Sequence, residues 1–143
     1  IMFKNILVTI DLDDKHTSDR VMQAANSIVA GDGGKMNVVT IVPNFGMSIV
    51  GSFFSKDHEE KMLAQAQKNL HAFTAAHLAD AIGVQHVIGR GNVYEEVLIW
   101  AEKLGVDLII VGAHRPNAAD YLLGPNAARV VRHANCSVMV VRD

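Results

Sequence analysis

Asp107 to Val141 read DLIIVGAHRPNAADYLLGPNAARVVRHANCSVMVV, and this stretch decides the fold. A continuous apolar run, Leu108 to Val111, leads straight into Gly112. A loop carries the chain to a second glycine, Gly124, at the mouth of a helix expected to begin near Asn126. That helix ends before Cys136, and another apolar strand, Ser137 to Val141, follows. A glycine closing a buried strand and another opening a helix let backbone N–H groups face an anion. Helix N-termini carry unpaired donors and the positive end of the dipole, so phosphate binds there readily. The pattern points to a nucleotide-sized phosphate site.

Outward from that stretch, three more segments complete the pattern. Ile6–Ile10, Met36–Val42 and Val84–Ile88 join Leu108–Val111 and Ser137–Val141 as short runs rich in Val and Ile. Several are continuous rather than alternating, as in strands buried on both faces of a parallel sheet. Between them lie residues at helical spacing: Val21, Ala25 and Ile28; Leu63, Ala66, Leu70 and Phe73; Val93, Val97, Trp100, Ala101 and Leu104; and Val130, Val131 and Ala134. Strands alternating with helices predict an α/β fold, a doubly wound open sheet of five parallel strands with about four helices. Ligands of such sheets bind beyond the carboxyl ends of the strands. Here that edge is expected to gather Thr9–Asp14, Ile41–Pro43, Gly89–Asn92 and Gly112–Arg115. Pro43–Asp57 is the longest irregular stretch. Its apolar residues leave three roles open: covering the sheet, covering the crevice, or meeting another subunit.

The 143 residues suffice for one domain, residues 2–143, with a real core. Thirteen Lys plus Arg against fifteen Asp plus Glu give a formal charge of −2, which argues against nucleic-acid or membrane partners. No apolar run reaches the ~18 residues that span a bilayer. Met2 is expected to be the native start, with no signal peptide. One cysteine, Cys136, offers no internal disulfide, so a cytoplasmic setting is expected.

Asp11, read as the end of the first strand, is placed in the site, where its carboxylate can accept hydrogen bonds from a ribose or an adenine amino group or hold a phosphate-bound Mg²⁺. Asp13 and Asp14 are read as a solvated turn feeding the first helix. Gly89 and Gly91 are read as turn glycines, and Asn92 with Glu95 as the cap of the third helix. His114, Arg115 and Arg129 lie near the phosphate site in sequence, and arginine's fork of donors suits phosphate. The other histidines show no metal-ligand spacing and are read as surface or interface residues. Trp100 and Cys136 are expected in the core. No nucleophile elbow, HExxH or Walker lysine is present. A response-regulator receiver is excluded because the third strand ends in glycine, not in a phosphoacceptor aspartate.

Together FKNILVTIDLDD (3–14), VDLIIVGAHRP (106–116) and YLLGPNAARVVRHANCSVMVVR (121–142) resemble the universal stress protein family along essentially the whole chain. The His-Arg-Pro after Gly112 and the YLLG-x-NAA run resemble its small single-domain, ATP-binding F/G-type branch. The resemblance implies a Rossmann-like sheet of the adenine nucleotide alpha hydrolase kind, strand order 3-2-1-4-5, with ATP or another adenine nucleotide, with or without Mg²⁺, between strands 1 and 4. Carried over, Thr9, Asp11 and Ile41 meet the adenosine. Val111 and Gly112 line the ribose and phosphate end, Gly124, Asn126 and Ala127 offer phosphate donors, and His114 and Arg115 of this chain stand beside them, Arg115 as a replacement donor.

The family's glycine signature is imperfect here: Arg115 replaces its second glycine, the interval to Gly124 is one short at eight residues, and Pro125 replaces its final hydroxyl residue. Proline suits a first helical position. It also removes an N–H and a hydroxyl, and losing one charge-assisted hydrogen bond costs about 1.5–3 kcal/mol, roughly tenfold in affinity or more. The resemblance further implies a homodimer through the last strand, with a tetramer left open, and a regulatory protein partner. The function expected is a nucleotide-dependent stress sensor or regulator. The alternatives are a slow ATPase or phosphotransfer protein, and a nucleotide-free dimerisation module.

Overall fold

The computed structural model describes residues 2–42, 56–78, 83–113 and 125–142. Strands β1 (Asn5–Thr9), β2 (Lys35–Val42), β3 (Gln85–Arg90), β4 (Leu108–Ala113) and β5 (Ser137–Arg142) alternate with helices α1 (Lys15–Asp32), α2 (Lys56–His77), α3 (Val93–Leu104) and α4 (Pro125–His133). All strands are parallel, in the order β3-β2-β1-β4-β5, as expected. Among the described residues no helix is long and apolar enough to cross a membrane.

The central strands are apolar on both faces because helices cover both. Ile6, Val8 and Ile10 point to the side of α1 and α2, where Val21, Met22, Leu70 and Phe73 pack on them. Leu7 points to the other side, with Val97 and Ala101 of α3 and Ala127 and Val130 of α4. Ile6, Leu7 and Val8 are wholly buried, and burying each such side chain contributes about 1.5–3 kcal/mol. β5, at the edge, is different: Val138 to Val141 are only half-buried. Local chemistry fixes the helix starts. Asp14 caps α1 by accepting from Thr17 N at 3.3 Å, and Asn92 caps α3 by accepting from Glu95 N at 3.4 Å.

Three boundaries differ from the sequence expectation. β1 stops at Thr9, so Asp11 lies in the turn beyond it. The buried Ser18 hydroxyl explains this, accepting from Asp11 N at 3.0 Å and donating to Asp11 O at 2.8 Å. Both backbone groups that would have extended the strand are taken. β3 runs on to Arg90, so Gly89 is a buried strand residue and only Gly91, with φ 123°, makes the turn. Lys56 and Asp57 belong to α2, while 43–55 lie outside the described residues.

The histidines also need correcting. His77 and His86 are half-buried and engaged within the chain, while His71 is a surface residue, as expected. His77 Nε2 is 2.7 Å from Asp19 Oδ1 and its Nδ1 is 2.8 Å from Phe73 O, tying α2 to α1. His86 stacks on His71 at 3.7 Å and meets Thr74 Oγ1 at 2.6 Å, tying β3 to α2. Trp100 and Cys136 are half-buried rather than fully so. Burial, then the nearby Asp107 carboxylate, pushes the Cys136 thiol up, which disfavours the reactive thiolate.

Burial, and secondarily the neighbouring His71, lowers the His86 pKa below its ordinary value of 6.5. The folded protein therefore favours the neutral ring. Below about pH 6.5 the unfolded chain takes up this proton first, so folding stability falls with pH through that window. We expect His86→Gln to lose less stability between about pH 7.5 and 5.5 than the parent chain, as measured by urea unfolding. An equal loss in both would refute the assignment.

Candidate functional site

The register of the sheet opens a cleft. β1 pairs with β4 over only Ile6↔Leu108, Leu7↔Ile109 and Val8↔Ile110. Beyond that the chain of β1 stays with β2, Ile10 N donating to Val39 O at 2.9 Å, while β4 follows β5 as far as Ala113↔Arg142. The two strands part, and the Thr9 hydroxyl donates to Ile110 O at 3.0 Å where the ladder ends. This is the point at which the strand order reverses, and ligands of open α/β sheets bind at such a point.

The space is a cleft of 360 Å³. Its floor is the carboxyl ends of β1, β2 and β4, with Thr9, Val39, Thr40, Ile41, Val111 and Gly112. One wall is the β1–α1 turn and the first turns of α1, carrying Asp11, Asp13, Asp14, Thr17, Ser18 and Val21. Val93 and Val97 of α3 and Asn126, Ala127 and Val130 of α4 close the other side. The lining is largely apolar with convergent hydroxyl, amide and carboxylate groups, the usual make-up of a small-molecule site.

Seven of the ten residues named from the sequence therefore line one cleft: Thr9, Asp11, Ile41, Val111, Gly112, Asn126 and Ala127. His114, Arg115 and Gly124 lie outside the described residues. Gly89 to Asn92 are not brought to the cleft, because β3 lies beyond β2 at the sheet's outer edge. Arg129 is not either: its guanidinium stacks on Tyr94, 5.0 Å from the ring centre. Asp13 and Asp14, read as solvated turn residues, do line the cleft, and Asp14 is at the same time the α1 cap. The sequence reading missed Val93 and Val97, whose spacing is that of core residues. Val93, the first residue of α3, is 39% exposed.

Two details show how the turn is held. Asp11 Oδ1 accepts from Asp13 N at 3.0 Å, a side-chain turn that commits one carboxylate oxygen. The second oxygen has no hydrogen bond among the described residues, so it is available to a donor in the cleft. Gly112 has a packing reason beside any ligand: a Cβ there would come within 2.4 Å of Thr17 Cγ2 and 3.2 Å of Val21 Cγ2. The absent side chain is what lets α1 lie this close to β4. Among the described residues no group of three or more His, Cys, Asp or Glu side chains is arranged to hold a metal ion.

A model of the Universal stress protein family matches residues 2–142. The chain belongs to that family. It is 29% identical to Universal stress protein G of Escherichia coli O157:H7, over 99% of this chain and 100% of the relative. It is 30% identical to Universal stress protein A homolog 1 of Coxiella burnetii, over 97% and 96% of the two chains. Among solved structures it resembles hypothetical protein MJ0577, with a TM-score of 0.82 and 23% identity over 100% of this chain and 98% of that one. It also resembles a universal stress protein in complex with cAMP, with a TM-score of 0.66 and 20% identity over 99% and 98%. At these identities the structural likenesses establish the fold.

The close approach at Gly112 is testable. Gly112→Ala is expected to destabilise the protein by about 1–3 kcal/mol, the cost of overpacking a buried contact. Adding Thr17→Ser, which deletes the offending methyl, is expected to recover most of that loss in urea unfolding. A Gly112→Ala protein as stable as its parent would show that α1 does not hold this position.

Proposed function

We propose that this universal stress protein binds an adenine nucleotide in the cleft between β1 and β4 and acts as a regulator whose occupancy biases its contacts with other chains. One observation carries the reading: the parting of β1 and β4 gathers Asp11, Ile41, Val111, Gly112, Asn126 and Ala127 around a single cleft. The complex of a related fold with cAMP supports the ligand class.

In this reading the free oxygen of Asp11 accepts from a ribose hydroxyl or the adenine amine. Ile41, Val39, Val93 and Val97 give the base an apolar slot, with the backbone of Ile41 offering groups to its edge. Val111 and Gly112 line the ribose. The phosphate end lies toward the start of α4, where Asn126 and Ala127 provide donors and Pro125, having no N–H, provides only packing. His114, Arg115 and Gly124 are the further contacts proposed there, on sequence grounds. Among the described residues no group of side chains is arranged to hold a metal ion, so any Mg²⁺ is proposed to be carried on the phosphates.

The described lining holds no paired base and nucleophile, so the reading is of binding rather than turnover. A homodimer through β5 is part of the proposal. An edge strand with four half-buried apolar residues in a row is a liability that a partner strand removes. The setting proposed is the cytoplasm.

The test is the nucleotide released on denaturing freshly purified protein, followed by calorimetric titration of the stripped protein with ATP, AMP and cAMP. Bound adenine nucleotide or micromolar rebinding is expected. Asp11→Ala should weaken binding about tenfold, the loss of one hydrogen bond to a charged group. An empty protein that takes up none of the three at millimolar concentration overturns the proposal.

A further inference from the structure

Ile41 of β2 and Gly89 of β3 are register partners on the side of the sheet that α3 covers. Gly89 is buried inside a strand, and its φ is not positive, so the backbone does not call for glycine there. The reason lies in what fills the place of the missing side chain. A Cβ on Gly89 would come within 2.5 Å of Ile41 Cδ1, the free end of that side chain. The same point is 3.3 Å from Glu96 Oε1 and 3.4 Å from Trp100 Nε1, both on α3. The Ile41 δ-methyl therefore leans sideways over β3, into a niche with Gly89 as its floor and α3 as its roof.

The roof is fixed. Glu96 Oε1 accepts from Arg90 N at 3.2 Å, which holds the carboxylate over this spot. Trp100 packs against the same apolar cluster as Ile41. An isoleucine has only a few staggered positions for its terminal methyl. With a methyl on residue 89 the position over β3 is taken, and the roof cannot rise to restore it. The direction left open is the cleft, whose floor Ile41 already lines. Gly89 does not touch the cleft, yet it decides how far Ile41 projects into it.

We propose that Gly89 is a positioning residue: by taking up the Ile41 δ-methyl, it keeps the apolar slot between Ile41 and the valines of α3 wide enough for a flat base. The slot's occupant rests on the nucleotide reading given above; the niche itself does not.

The niche is tested without ligand, in protein labelled at the isoleucine δ-methyls. The Ile41 methyl should show a nuclear Overhauser contact to the Trp100 indole N–H. Gly89→Ala should abolish that contact while the folded spectrum is kept, since only the end of one side chain stands in the way. The slot is tested by calorimetric titration with AMP. Gly89→Ala should weaken AMP binding about tenfold, the effect of overpacking by one methyl. In an Ile41→Val background, which lacks the δ-methyl, Gly89→Ala should change the affinity by less than about twofold. No contact in the parent chain, or an Ile41 methyl unmoved by Gly89→Ala, overturns the niche. Unchanged AMP affinity in Gly89→Ala, or an equal loss in the Ile41→Val background, overturns the positioning role. A parent chain that shows the contact but takes up no AMP leaves the niche standing and overturns the base slot together with the nucleotide reading.

Discussion

The cleft depends on how briefly β1 and β4 are paired. Three residue pairs hold these neighbours together at the centre of the sheet, and then each strand follows its other partner. The break is stable because the main-chain groups it frees are met locally. Thr9 gives a side-chain hydroxyl to Ile110 O, and Ser18 takes both backbone groups of Asp11. Buried polar groups left without partners would cost about 1–3 kcal/mol each, so these two hydroxyls are a condition for the opening. Ser18 and Thr17 come from the same turn of α1, and Thr17 is the side chain that Gly112 must make room for. One turn of helix thus sets the position of Asp11 and the closeness of α1 to β4.

How much of this was legible in the sequence follows from the range of each interaction. The strands were legible because burial on both faces demands runs of Val, Ile and Leu, and nothing in the tertiary structure reverses that demand. The cap at Asn92 was legible because its partner, Glu95, is three residues away. The end of β1 was not, since the extra residue of strand expected at Ile10, with Asp11 at its end, is cancelled by a serine from the next helix. Nor was the cleft role of Val93 and Val97 legible, because an apolar stripe looks the same over a sheet as beyond its edge. His77 and His86 carry no local signal at all. Their partners, Asp19 and Thr74, belong to other elements that only the folded chain brings near.

The two faces of the sheet are stapled differently. On the side of α3 and α4 the packing is apolar, with Leu7, Ile109 and Val130 wholly or nearly wholly buried, and the polar ties, Arg90 N to Glu96 Oε1 and Asn5 Nδ2 to Leu104 O, sit at the two ends of α3. On the side of α1 and α2 the apolar packing is joined by polar ties. Only Leu70, Phe73 and Thr74 of the 22-residue α2 are buried, all in its second half. There Thr74 and His77 anchor the helix to β3 and α1. These polar ties stand where the helix buries little apolar area. Ala72 and Ala76 of α2 leave an open groove beside Phe73, between α1 and α2, where larger side chains would have closed it.

The start of α4 shows why occupancy of the cleft, as proposed, would bear on more than the ligand itself. At nine residues α4 is shorter than the roughly 12–15 that make an isolated helix even marginal in water. Its own sequence helps at one end only. Arg132 and His133 in the last turn suit the negative end of the dipole, while the first turn has no acidic residue to suit the positive end. Ala127 and Val130, packed toward the sheet, must therefore hold the helix in place. An anion at Asn126 supplies the charge that the first turn lacks, worth about 0.3–1 kcal/mol and up to about 2 kcal/mol in a partly buried geometry. A ligand that binds only the folded chain adds stability in proportion to the logarithm of its occupancy. Because α4 leads directly into β5, the half-buried edge strand, the order of α4 and the presentation of that edge are physically joined. Binding at one end of α4 can thus reach the strand at the other without any change in the central sheet.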